Sequence, residues 1–200
     1  MIREQLRPAV ISFFLLTLIT GILYPVCITG ISQFFFKGQA NGSLIFENGQ
    51  PSGSSLIGQS FDDPKYLWGR LSATAPVAFN AASSSGSNFG PMNPNFMNTV
   101  QTRMKSLRDV DPGNKNPVPV DLVTASASGL DPHISLAAAE YQVSRIARTR
   151  KISEKTVRSI IRQHTQERLF GIIGEPVVNV LRVNLTLDRG EKSDERISGK

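Results

Sequence analysis

From Pro8 to Phe36 the chain runs 29 residues without a charge, PAVISFFLLTLITGILYPVCITGISQFFF. A hydrocarbon core of about 30 Å takes about 20 apolar residues in a helix rising about 1.5 Å per residue. The run is long enough to cross a bilayer with tilt to spare. Arg3 and Arg7 precede it against one acid, Glu4, and only Lys37 follows closely. Basic residues next to a span stay on the cytoplasmic side. The pattern therefore predicts one transmembrane helix, N-terminus inside, kinked near Pro25. Three other readings compete with a retained anchor. They are a cleaved signal peptide, whose apolar region is normally half as long, a lipoprotein signal ending at Cys27, and a buried core helix.

Beyond the run the pattern changes to short pulses. Ser43–Phe46 and Ser55–Ile57 flank Asn48-Gly49, a hairpin signal. Residues 61–72 pack three aromatics around a turn, with Tyr66 and Trp68 expected in the core. Residues 73–98 carry no charge and are dominated by Gly, Pro, Asn and Ser, which predicts a long irregular loop of functional character. A short helix is expected over Val100–Leu107 and a strand over Val120–Ser126. Asp131 is expected to cap a helix starting at Pro132 and running to about Arg150. Its apolar stripe is Ile134, Ala137, Ala138, Tyr141, Val143 and Ile146. Ser153 caps the next helix. Val177–Leu187 alternates and is rich in branched residues, which predicts a strand. The fold class expected is a mixed α/β (α+β) extracytoplasmic domain on one N-terminal transmembrane helix. Its divisions are a cytoplasmic tail at 1–7, the span at 8–36, the domain at 37–188 and a charged flexible tail at 189–200.

Composition narrows the chemistry. Cys27 is the single cysteine, so no intramolecular disulfide and no thiolate metal site can form. The net charge is +6. The basic clusters at 145–151 and 155–168 alternate with apolar positions, so they are expected to be exposed helix faces rather than a nucleic-acid surface. No phosphate-binding P-loop, HExxH or paired-cysteine spacing is present, and His133 and His164 are too far apart in sequence to suggest a metal site. Ser126, Asp131 and His133 are the residues an alternative reading, a membrane-anchored hydrolase, would use. The amide- and hydroxyl-rich loop suits docking on another protein, because such groups donate and accept without bringing a charge.

Several segments, in order, resemble the C-subunit family of the Kdp potassium-transporting ATPase (KdpC). They are GILYP at 21–25, GSSLIGQ at 53–59, WGR at 68–70, SNFGPMNP at 87–94, DLVTAS at 121–126, GLDPHIS at 129–135 and GEPVVNVL at 174–181. The resemblance implies a non-catalytic accessory subunit in a bacterial inner membrane, single-pass, with a periplasmic domain. It implies partners KdpA, which is channel-like, KdpB, which is the P-type ATPase, and the small KdpF, with lipid around the helix. It further implies a catalytic-chaperone role that raises the ATP affinity of KdpB.

The family's serine-glycine motif, linked with nucleotide, reads here Ser84-Ser85-Gly86-Ser87-Asn88, with Ser85 where a second glycine is usual. Gln142 is the glutamine linked with the same idea, and Leu71 stands where proline is usual. ATP is cytoplasmic, whereas the expected topology puts Ser87 and Gln142 outside. Any nucleotide role is therefore expected to run indirectly, with ATP bound through KdpB. Partner docking is expected at Asn80, Asn88, Phe89, Pro91, Asn93, Asp131 and His133.

Overall fold

The computed structural model describes the backbone of residues 2–198 and the side chains of residues 4–190. The chain divides into two compact units, Met1–Leu44 and Ile45–Lys200.

The first unit is helical. Helix α1 (Ile2–Leu18) passes through a π-helical turn (Ile19–Leu23) into α2 (Tyr24–Phe35), and a short α3 (Lys37–Ala40) follows. The π turn has a clear cause. Pro25 has no N–H and its ring crowds the carbonyl four residues back, so the ladder shifts register by one residue. The Tyr24 N–H accordingly donates to the Ile19 carbonyl. Within Glu4–Phe35 an 18-residue stretch has a mean hydropathy of 2.2, and no residue of the helix is buried. The rival reading of a buried core helix therefore has no support, and among the described residues this is the one helix long and apolar enough to cross a membrane.

The second unit is a mixed α/β fold. Strands β1 (Leu44–Glu47) and β2 (Gln50–Ser54) form the hairpin expected at Asn48-Gly49, whose left-handed backbone (φ 50° and 80°) is what such a turn requires. Helix α4 spans Pro94–Val110, capped by the Asn93 side chain, and is longer than the short helix predicted. A three-stranded antiparallel sheet has the order β3 (His133–Ser135), β5 (Val177–Asn179), β4 (Thr165–Gln166). Helices α5 (Leu136–Tyr141), α6 (Val143–Arg150), α7 (Glu154–Gln163) and α8 (Val180–Ser198) complete it. Leu67, Leu122, Ile134, Ile146, Val157, Val178 and Val183 are among the core residues.

Four sequence expectations are corrected. First, Val177–Leu187 is a strand only to Asn179 and then a helix. Val180, Val183, Asn184 and Leu187 are buried at the spacing of one helical face, and that face outweighs branched-residue propensity. Second, Val120–Ser126 is not a strand: it holds a 3-10 turn at Val120–Leu122 and a single bridge residue, Ala125, paired with Leu71, and adjacent Leu122 and Val123 are both buried rather than alternating. Third, Asp131 caps no helix. The helix begins at Leu136, with the Ser135 hydroxyl accepting from the Ala138 N–H, and Pro132 leads into β3 instead. Within that helix Ala137 is exposed, and Ala139 is buried in its place. Fourth, the basic runs are not simply exposed faces, since Arg145 and Arg150 are buried. The Ser153 cap stands as expected, accepting from the Thr156 N–H. The side chains of the tail expected at 189–200 lie, from 191 onward, outside the described residues.

Candidate functional site

The loop from Ala73 to Asn93 contains no helix or strand, yet it is ordered by hydroxyl pegs. Ser72 Oγ donates to the Gly129 carbonyl (2.7 Å) and accepts from the Phe79 N–H (2.9 Å). Thr74 Oγ1 donates to the Val77 carbonyl and accepts from the Asn80 N–H. Asn80 in turn donates to the Ala75 carbonyl and accepts from the Ala82 N–H. Such local bonds replace the ladder that the composition cannot form.

The serine-glycine segment is seated on residues 126–129. Ser84 Oγ and the Ser85 N–H both donate to the Ser128 carbonyl at 3.0 Å. A methyl group on Gly86 would lie 2.6 Å from the Ala127 carbonyl oxygen, and one on Gly129 (φ 69°) 2.5 Å from that of Ser85. Glycine is therefore required at 86 and 129 for close approach of two backbones. It is not required at 85, which has no positive φ; Asn88 is the left-handed residue of the segment, at 49°. The substitution at Ser85 thus carries no conformational penalty. Beside the segment opens a cleft of about 530 Å³ whose lining includes Gly86, Ser87, Phe89, Phe96, Val123 and Thr124. No charged side chain lines it, so a polyphosphate would find no counter-charge there.

Along the edge of the sheet, Arg70, Asp131 and His133 form a cluster. Arg70 Nη1 sits 3.2 Å from Asp131 Oδ2, and Arg70 Nη2 donates to the Ala125 carbonyl. Asp131 Oδ1 accepts from the His133 N–H (2.9 Å) and lies 3.5 Å from His133 Nδ1. Burial alone would raise the Asp131 carboxyl. The hydrogen bonds from His133 and the charge of Arg70 outweigh it and hold the group below the usual carboxylate value. His133 Nε2 faces Asn179 Nδ2 at 3.4 Å. Ser126 Oγ is buried and makes no hydrogen bond, so the nucleophile–base contact of a hydrolase is missing.

Gln142 is not part of either group. It is 1% exposed, and both ends of its amide are engaged. Oε1 accepts from the Trp68 N–H (2.9 Å) and from Arg145 Nη2 (2.6 Å), while Nε2 donates to the carbonyls of Trp68 and Ala138. Asn184 on α8 does the same for Leu67, accepting from its N–H and donating to its carbonyl. Two amides thus act as strand partners for consecutive buried residues. The guanidinium groups of Arg103 and Arg145 lie 4.8 and 5.0 Å from the centre of the Trp68 ring. Burial lowers the Arg145 guanidinium to about 10, and it stays charged at neutral pH.

Of the other residues expected to dock a partner, Asn88, Phe89 and Pro91 are exposed, while Asn80 and Asn93 are half-buried and spend their amides on turn and cap. Sequence reading missed Val77 and Met92, which stand 61% and 92% exposed on the same charge-free stretch. It also missed Arg70, whose role needs the fold.

Residues 6–189 match the family model described as "KdpC: K+-transporting ATPase, c chain". The chain is 54% identical to a potassium-transporting ATPase KdpC subunit of Herpetosiphon aurantiacus, over 96% of this chain and 100% of that one. It is 56% identical to the KdpC subunit of Methylococcus capsulatus, over 92% and 97%. For that of Methylibium petroleiphilum the figures are 57%, over 93% and 97%.

Proposed function

The chain belongs to the KdpC family of K+-transporting ATPase subunits, and from that premise we propose that it is the non-catalytic accessory subunit of a high-affinity potassium pump. Its helix is a retained single-pass anchor in the bacterial inner membrane, N-terminus inside, and residues 37–188 form the periplasmic domain. Its partners are KdpA, KdpB and KdpF. It acts as a catalytic chaperone, raising the ATP affinity of KdpB without holding the nucleotide itself. It can do so only by contacting one state of KdpB, or of a subunit coupled to it, better than another.

One observation carries the docking reading. Between Arg70 and Arg103 the chain is free of charge, yet its backbone is pegged in place by Ser72, Thr74 and Asn80 and offers Val77, Phe89 and Met92 to solvent. A pre-ordered uncharged surface binds without ordering or desolvating charge. Asn88, Pro91, Asn93, Asp131 and His133 sit at the ends and base of this surface in the proposed interface. The lack of any cation along the cleft by Ser87, and the saturation of Gln142, favour an indirect nucleotide effect over an ATP site at Ser84–Asn88.

The test is a Phe89→Asp, Met92→Asp double variant of the tagged chain in mild detergent. We expect recovery of KdpA and KdpB to fall at least tenfold, about the loss that one to two buried hot-spot contacts would give. Any complex that survives should need more ATP for half-maximal hydrolysis. Unchanged recovery and ATP dependence would remove this surface from the interface.

A further inference from the structure

A polar cavity of about 320 Å³ opens between the end of α7, the three-stranded sheet and the first turn of α8. Its lining includes His133, Gln163, His164, Gln166, Asn179 and Arg182. It thus holds both histidines of the chain, one full positive charge and no carboxylate. The docking surface proposed above shares only His133 with it.

Some of these groups are already engaged. Asn179 Oδ1 accepts from the Arg182 N–H, and Asn179 Nδ2 donates to the Ser55 carbonyl. His133 has Asp131 Oδ1 3.5 Å from Nδ1 and Asn179 Nδ2 3.4 Å from Nε2. An amide nitrogen can only donate, so Nε2 accepts and the proton of neutral His133 sits on Nδ1. Four donors are left for a ligand. The Arg182 guanidinium and the side-chain amides of Gln163 and Gln166 make no hydrogen bond or ion pair among the described residues. The fourth belongs to His164. Thr186 Oγ1 has one proton and gives it to the Arg182 carbonyl (2.9 Å), so its 2.7 Å contact with His164 is filled by the Nε2–H of the ring. Nδ1 has no partner among the described residues. It is a lone pair in the neutral ring and a donor in the charged one.

We propose that this cavity binds a dianionic tetrahedral oxyanion, an inorganic phosphate or sulfate or a phosphomonoester, and that His164 takes up a proton when it does. Arg182 and protonated His164 match two negative charges with two positive ones. A guanidinium fork, an imidazolium N–H and two amides suit an acceptor with several oxygens. The unpaired arginine disfavours a metal ion, and His133 Nε2 is already engaged. Burial, reinforced by Arg182 and Arg189, holds His164 below its ordinary 6.5. Of these two cations Arg189 is paired with Glu47 of β1. Asp131 stands on the far nitrogen of His133, and Arg162 and Glu167, which adjoin the segment in sequence, do not line the cavity. An anion on Arg182 cancels a charge that keeps the proton off His164, so binding and protonation assist each other.

The experiment is an NMR titration of the full chain in maltoside micelles with isotope-labelled histidine, a His133→Gln variant telling the two rings apart. His164 is titrated in sodium sulfate and in sodium chloride of equal ionic strength, because sulfate keeps both charges through the neutral and mildly acidic range. We expect sulfate to raise the His164 pKa by about one pH unit over chloride. By linkage, sulfate then binds about tenfold tighter to the protonated chain. Arg182 is exposed, so Arg182→Gln should fold, with the His133 signal in place. In that variant the His164 pKa should already be higher in chloride, and sulfate should move it no further. Identical titrations in the two salts overturn the proposal, as does a sulfate shift that survives Arg182→Gln. Nanodiscs of phosphatidylglycerol without sulfate separate the sources. A shift there, with none from sulfate in micelles, assigns the cavity to a headgroup diester and overturns the dianion.

Discussion

Gln142 shows how a residue linked to one role can be held by another. Each polar atom of its amide has a partner inside the domain, and one of them is the guanidinium of the equally buried Arg145. Replacing it with leucine strands the Trp68 backbone and one face of Arg145. We expect Gln142→Leu to lower stability by about 3 kcal/mol, the scale of losing a buried polar group that serves a charge. Denaturant unfolding of the chain in detergent reads this, and any loss of ATP stimulation should track the unfolded fraction. Two titrations also act at this scale. Burial, reinforced by Arg182 and Arg189, holds His164 below its ordinary 6.5. The unfolded chain therefore takes up this proton first as the pH falls. The contribution of His164 is complete above about pH 6.5 and is lost below it, toward the folded-state value. Asp131 behaves likewise at lower pH: its contribution is present above its ordinary 3.8 and lost as pH drops through its depressed folded value. Unfolding midpoints measured from pH 7.5 to 5 should decline less in His164→Gln than in the parent chain.

At the scale of elements, the seat of the serine-glycine segment on residues 126–129 is the contact most sensitive to a single methyl group. Gly129→Ala adds both a disfavoured φ and a clash with the Ser85 carbonyl, and should cost about 1–3 kcal/mol. Limited proteolysis should then cut within 73–93 faster than in the parent. Gly90→Ala meets nothing within 4 Å and should leave the cleavage rate unchanged. The elements also explain what could be read beforehand. The Asn48-Gly49 hairpin, the Ser153 cap and the end of α6 at Arg150 follow from local chemistry, and all three were legible. Val180–Leu187 was not, because its residues fit period two and period 3.6 about equally, and only the burial of Val180, Val183, Asn184 and Leu187 on one face decides between them. Asp131-Pro132 was read as the start of a helix, whereas the Asp131 carboxylate accepts from the His133 N–H at the entry to β3 and the helix begins at Leu136. The seat under Ser84–Gly86 joins segments about 40 residues apart, and the pairing of Leu67 and Trp68 with distant amides spans still more, so nothing local announces them.

For the whole molecule, the account has one premise that everything else uses. That premise is the proposed anchor: the Glu4–Phe35 helix, long and apolar enough to cross a membrane and without a buried residue, taken to start inside because Arg3 and Arg7 precede it. Family membership sets the context as a potassium-transporting ATPase subunit. The side of the membrane on which Ser84–Asn88 and Gln142 lie then decides whether cytoplasmic ATP can reach them at all. The most direct measurement fuses alkaline phosphatase in one strain, and green fluorescent protein in another, after Lys200. The account predicts active phosphatase and a dark fluorescent fusion in intact cells. Inactive phosphatase with bright fluorescence would contradict it, placing the domain with the nucleotide.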